Sequence, residues 1–166
     1  MLFHISIPAD DPARIAAIIA ELWRGESFPF PPFPGAFTAM AGDANASSVE
    51  VYPRTLTLHP SAGMSDVEGR LNDTAVRHSA YHAAIATPLS EGEVHAIAQR
   101  EGWICRTLSR GGVFRVIEFW VENCFMLEVL TSEMQAEYTG RVTIEGWRAM
   151  LAAGAPHRAA EPSPSV

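Results

Sequence analysis

Four side chains at matched spacing carry the chemistry that this chain offers. His4 stands in FHISI between Phe3 and Ile5, and His82 holds the same place in AYHAAIAT. Glu50 stands in SVEVYP between Val49 and Val51, and Glu128 in MLEVLT between Leu127 and Val129. A shift of 78 residues takes His4 to His82 and Glu50 to Glu128, so each histidine precedes its glutamate by 46 residues. Each of the four interrupts an apolar alternation of period two and therefore faces away from the aliphatic side of a strand. An isolated carboxylate buried there is costly unless it is paired or coordinates a metal. Two imidazoles and two carboxylates that converge would satisfy one another through one divalent ion. That nitrogen and oxygen set suits Zn, Ni, Fe, Co or Mn better than Ca or Mg, and on an octahedral ion it leaves two positions for water or substrate. The plainer reading of any one such residue is a polar group on a solvated sheet face. Four at one spacing favour the metal.

The elements that must position these residues follow from periodicity. Residues Leu2 to Ile7 alternate Phe3, Ile5 and Ile7 against His4 and Ser6, a half-buried strand. Asp10 or Asp11 before Pro12 reads as a helix cap, and Ile15, Ile18, Ile19 and Leu22 carry the helical period to Gly25. The segment FPFPPFPGAF reads as a stiff aromatic loop, because its prolines remove backbone N–H donors; it is equally suited to a pocket wall, a lid or a dimer contact. Phe37 to Ala41 and Ser47 to Tyr52 read as a hairpin, with a further strand through RTLTLH. Tyr81 to Thr87 opens a second unit. Ser90 with Glu93 forms a capping box for a helix ending at Gly102, and Arg115–Val121 pairs with Cys124–Leu130. The shift of 78 also brings Val49 onto Leu127, Val51 onto Val129, Ile19 onto Ile97 and Phe3 onto Tyr81, which marks a structural repeat of low identity.

The expected layout is a first module over 1–59, a connector over 60–78 and a second module over 79–132. A C-terminal helical extension over 133–154 follows, then a flexible tail over 155–166, all within one compact domain. The helix with Ile144, Trp147, Met150 and Leu151 is expected to cover an apolar surface. His59, His78, His95 and His157 read as surface or local structural residues.

Composition narrows the function classes. The 166 residues are 48% hydrophobic with a formal net charge of −7, and no Lys/Arg cluster offers a nucleic-acid footprint. No run approaches the roughly 18 apolar residues of a membrane span, and no basic leader precedes an apolar stretch. The two cysteines, Cys105 and Cys124, lack ligand spacing and read as reduced thiols. A cytoplasmic protein without membrane or nucleic-acid partners is expected.

The βαβββ repeat carrying FHISI, SVEVYP, YHAAIAT and MLEVLT resembles the vicinal oxygen chelate superfamily, which includes glyoxalase I, methylmalonyl-CoA epimerase, extradiol dioxygenases and fosfomycin or bleomycin resistance proteins. The resemblance covers about residues 1 to 132. It implies an α+β fold in which two βαβββ modules form an open eight-stranded mixed barrel, helices outside and the metal inside. It also implies one divalent transition metal on His4, Glu50, His82 and Glu128, the His, Glu, His, Glu order of glyoxalase I; a dioxygenase would use His4, His82 and Glu128. The implied activity is that of a lyase or isomerase on a small substrate chelating through adjacent oxygens. Alternatives are an Fe(II) dioxygenase and a non-catalytic resistance-type binding protein. Glu128 is the implied catalytic base with Glu50 as second proton shuttle, and Tyr52, Glu118 and Trp120 would shape the substrate pocket, though packing for Trp120 and solvation for Glu118 are the plainer roles. A homodimer is expected, with each site built within one chain or across two. The chain departs from the glyoxalase pattern in lacking the aromatic "FY" and "LGF" signatures around the first helix, where it has PARIAAIIAELWRGESF, and in lacking a match for glutathione-binding basic residues.

Overall fold

A computed structural model describes residues 3–60, 67–74 and 77–154. The first module runs β1 (His4–Ala9), α1 (Pro12–Trp23), β2 (Glu26–Pro29), β3 (Phe37–Met40) and β4 (Ser48–Pro53). Its sheet has the order β1-β4-β3-β2, with β1 parallel to β4 and the other pairs antiparallel. The Asp11 side chain accepts from the Arg14 N–H and caps α1, and Pro12 follows where a missing N–H costs nothing. The helix ends at Arg24, which takes a left-handed φ of 53°. Gly25 comes next because a β-carbon there would lie 1.9 Å from the Met40 carbonyl oxygen. One face of α1 buries Ile15, Ile18, Ile19 and Leu22 against Ile7, Ala39, Val49 and Val51.

RTLTLH does not join this sheet. It supplies β5 (Leu56–His59), at the end of the expected first module, which pairs with β6 (Glu68–Leu71) from the expected connector in a separate two-stranded ribbon. The remaining strand of the first sheet is β2, from ESFP, which sequence periodicity missed because it is short, exposed and runs directly into the proline-rich loop.

The second module repeats the plan with β7 (His82–Ala86), α2 (Glu91–Glu101), β8 (Cys105–Arg110), β9 (Phe114–Val121) and β10 (Phe125–Leu130), in the order β7-β10-β9-β8. The capping box is present: the Ser90 side chain accepts from the Glu93 N–H while Glu93 accepts from the Ser90 backbone. The parallel registers coincide under the shift of 78: Ser6 lies opposite Glu50 and Ala84 opposite Glu128, and His4 opposite Ser48 matches His82 opposite Met126. The chain therefore has two mixed four-stranded sheets of βαβββ order that do not close on one another. Beyond them lie α3 (Ser132–Arg141) and α4 (Ile144–Ala152). Against expectation, α4 buries none of its residues: Ile144, Trp147 and Leu151 are exposed, and Met134 of α3 makes the buried contact instead. The expected tail lies outside the described residues. None of the described helices is long and apolar enough to cross a membrane.

One continuous core joins the modules, and polar struts cross between them. The Arg54 guanidinium bonds Asp10 and Glu122, and Glu122 also accepts from the Asp10 and Asp11 N–H groups at 2.9 and 3.0 Å. Trp23 donates its indole N–H to the Ala86 carbonyl at 3.0 Å, and Thr87 donates its hydroxyl to the Leu22 carbonyl. These contacts bring the edge strands β1 and β7 near one another across a cleft of about 510 Å³, lined by His4, Ile5, Trp23, Val49, Ile85 and Gln135.

Candidate functional site

Alternation along the strands decides what each uncovered sheet face carries. In the first module Ile5, Ile7, Val49 and Val51 point to α1, so His4, Ser6, Glu50 and Tyr52 share the opposite face. Glu50 is the centre of this group. Its Oε2 accepts from the Tyr52 hydroxyl at 2.8 Å and the Ser6 hydroxyl at 3.0 Å, while its Oε1 faces His4 Nε2 at 3.9 Å. The imidazole side chain is 55% exposed and the carboxylate only 16%, so one partner meets solvent and the other is anchored.

The anchoring continues outward. Tyr52 packs edge-on against Phe30 and Phe33, with ring centroids 6.0 and 5.4 Å apart. Phe33 lies under β6 so closely that a β-carbon on Gly69 would come within 2.8 Å of its ring. The proline-rich loop is thus a support for Tyr52. Burial, and then the hydrogen bond to the Glu50 carboxylate, push the Tyr52 phenol above its usual range and keep it a proton donor.

The second module puts different chemistry on its equivalent face. His82 has Nδ1 3.1 Å from the Ala80 carbonyl, which can only accept, so Nδ1 is the donor and Nε2 is the nitrogen turned to other partners. Glu118 and Glu128 stand directly opposite one another in the β9–β10 ladder. Like charges so placed repel, and Arg110, from the end of β8, lies between them. Its Nε and Nη2 donate to Glu128 Oε1 at 2.9 and 2.5 Å, and its Nη1 meets Glu118 Oε1 at 2.8 Å. Burial opposes the charge on Arg110, but the bonds to Glu128 and Glu118 outweigh it and raise its pKa. Trp120 donates its indole N–H to Glu118 Oε2 at 3.4 Å.

The structure therefore brings His4 and Glu50 together with Tyr52, and Glu128 together with Glu118 and Trp120. It does not gather all four expected ligands: among the described residues no group of three or more His, Cys, Asp or Glu side chains is placed to hold an ion. His4 and Glu50 stand close enough to share a divalent ion after a small side-chain shift, because Nε2 and Oε1 lie 3.9 Å apart and, among the described residues, Glu50 Oε1 has no other partner. Glu128 fits less well, since a guanidinium holds its Oε1 and leaves only Oε2. Ser6 and Arg110 were not singled out from the sequence. Ser6 shares the His4 alternation and was within reach. Arg110 required β8, an exposed edge strand whose pattern Cys105, Thr107, Ser109 is too polar to reveal itself. Of the other histidines, His95 meets Thr107 at 2.9 Å and His59 meets Thr57 at 3.0 Å, both local contacts. His157 lies outside the described residues.

No family model and no curated protein matches the chain. Among solved structures it is similar to the fosfomycin resistance protein FosX from Listeria monocytogenes, at 15% identity over 81% of this chain and 97% of that one, with a TM-score of 0.49. It is similar also to the trypanothione-dependent glyoxalase I of Leishmania major, at 14% identity over 93% of this chain and 97% of that one, again with a TM-score of 0.49. A possible glyoxalase from Bacillus cereus aligns at 13% identity over 78% and 96% of the two chains, with a TM-score of 0.41. The fold is that of paired βαβββ modules. Its own strand ladders establish this, and they match the arrangement implied by the vicinal oxygen chelate resemblance.

Proposed function

We propose that this chain is a glyoxalase-type protein, a divalent-metal-dependent lyase or isomerase acting on a small substrate that chelates through adjacent oxygens. The observation that carries the reading is the His4–Glu50 pair, with Nε2 and Oε1 3.9 Å apart and the second carboxylate oxygen fixed by Tyr52 and Ser6. His4 and Glu50 would be the first donors to the ion, and His82 and Glu128 would complete the set from the second module, in the same chain or across a homodimer. A transition ion there would supply Lewis-acid polarisation of the substrate's paired oxygens.

The chain's own groups divide the remaining work. Glu50 would be the better placed proton acceptor of the two glutamates once its Oε1 leaves the ion, because Glu128 is neutralised by Arg110. Tyr52 and Ser6 hold the carboxylate plane in one orientation, as catalytic positioning requires. Trp120, half-buried beside Glu118, gives the substrate apolar surface, whereas the Tyr52 ring is buried against Phe30 and Phe33 and acts through its hydroxyl. Two free thiols, Cys105 and Cys124, accord with action in a reducing compartment such as the cytoplasm.

A second reading, a non-catalytic small-molecule binding protein, is favoured by one observation: Arg110 already satisfies Glu118 and Glu128 without a metal. An Fe(II) dioxygenase has less support, since its triad of His4, His82 and Glu128 leaves out Glu50, the carboxylate that stands beside His4. Elemental analysis of protein purified without chelator separates the readings. About one transition ion per site is expected, lost in His4→Ala. Metal-free protein that still binds small aromatic ligands would instead establish the binding role, and Fe(II)-dependent oxygen consumption would establish the dioxygenase.

A further inference from the structure

The carboxylates of the second module raise an electrostatic problem that the first module does not have. Glu50 faces Thr38 across its antiparallel ladder. Glu128 faces Glu118, and both side chains are largely withdrawn from water, at 12% and 14% exposure. Two such charges need a cation between them. Arg110 is built to be that cation. It ends β8, immediately before the left-handed Gly111 and Gly112, so the chain turns away while its side chain reaches inward over β9 to β10. Its planar fork serves both carboxylates at once, which a lysine could not do with the same geometry.

We infer that Arg110 occupies the cation position of the second module, so that a divalent ion reaches Glu128 only by displacing the guanidinium or by taking Oε2 beside its fixed positive charge, and Arg110 thereby sets the metal affinity of the site. The inference rests on the metal reading above and concerns the one donor that already holds a cation. The arginine places two N–H groups on Glu128 Oε1, so a metal ion must displace it or bind Oε2 against the repulsion of the guanidinium. The competition is local to the second module: among the described residues no arginine or lysine contacts Glu50, whose Oε1 faces His4. Its signature is therefore a metal affinity that rises when the arginine is removed, and only while Glu128 remains a carboxylate.

The test is titration of chelator-treated full-length protein with Co(II), followed by calorimetry and by the visible absorption of bound Co(II), in wild type, Arg110→Met, and Arg110→Met combined with Glu128→Gln. A further variant, Arg110→Met with Glu118→Gln, restores the local charge balance should the single change unfold the protein, and circular dichroism checks each fold. Arg110→Met, or its charge-balanced form, is expected to bind Co(II) at least about tenfold tighter than wild type, with the gain abolished by Glu128→Gln. Equal, measurable affinity in wild type and Arg110→Met overturns the inference and leaves the metal reading standing. Tight binding in Arg110→Met with none in wild type supports the inference and overturns metal dependence of the natural protein. No binding in any variant overturns both.

Discussion

The two modules share a backbone plan and a register yet solve the same packing and charge problems in opposite ways. In the first, the helix is bulky and the strand beneath it small: α1 buries Ile15, Ile18, Ile19 and Leu22, while β3 presents Ala39. In the second, α2 buries only Val94, Ile97 and Ala98, and Phe119 of β9 fills the space from the sheet, edge-on to Trp103 at 5.5 Å. The charged faces invert as well. A carboxylate held by two hydroxyls in one half corresponds to a carboxylate held by an arginine in the other. A repeated fold fixes where side chains stand, while the filling of each position is free as long as volume and charge balance locally.

The largest effect expected from breaking this contrast is on the cores. Phe119→Ala should lower unfolding free energy by about 3–5 kcal/mol, since the small residues of α2 cannot close the cavity. The reciprocal change, Ala39→Phe, should cost about 1–3 kcal/mol by overpacking under α1. Urea denaturation of both variants checks the pair; a small loss in Phe119→Ala would mean that the modules are not complementary in this way.

Next comes the strut between the halves. Arg54→Met removes the partner of Glu122, whose side chain is 12% exposed, and should cost about 3 kcal/mol at neutral pH. The same variant sharpens the acid response. Burial raises the Asp10 carboxyl, but the Arg54 and Arg77 guanidinium groups outweigh it and hold the group below its usual 3.8. A depressed folded pKa contributes stability that is present above 3.8 and lost as pH falls through the folded value. The stability gap between wild type and Arg54→Met should therefore narrow as denaturation is repeated from neutral pH to about pH 3.

The smallest effect is at the first site. Tyr52→Phe removes one hydrogen bond to the Glu50 carboxylate and should destabilise the protein by about 1–2 kcal/mol. It should also weaken Co(II) binding in the same titration, because the carboxylate loses one of the two groups that orient it. Unchanged Co(II) affinity would remove Tyr52 from the positioning role.

Much of the scaffold was legible in the sequence, because α1, α2, β1, β4 and β10 each announce themselves by a cap or an apolar period. The shift of 78 also survives into the strand registers. The edge strands β2 and β8 were not legible: an edge position needs no continuous apolar stripe, and ESFP and CRTLSR carry none. Helix α3 falls in the expected helical extension over 133–154 but was not set apart from α4, because Met134 is its only buried residue. The apolar pattern of α4 was read correctly as helical, but amphipathic spacing says nothing about whether a covering surface exists. At the site, the sequence argument required partners for buried carboxylates and could not tell a metal from an arginine. That distinction depends on β8 lying beside β9, a pairing made by tertiary structure.

The tight turn between β9 and β10 gives Glu122 and Asn123 left-handed backbone angles, φ 50° and 56°. Asparagine tolerates that conformation, whereas glutamate adopts it at a cost of about 1 kcal/mol or more. What holds Glu122 there belongs to the other half of the molecule: the Arg54 guanidinium and the amides of Asp10 and Asp11. The hairpin of one repeat is thus shaped by its sibling, so the pair should melt in a single cooperative step, and a duplicated half cut free would lose the template for its own bend.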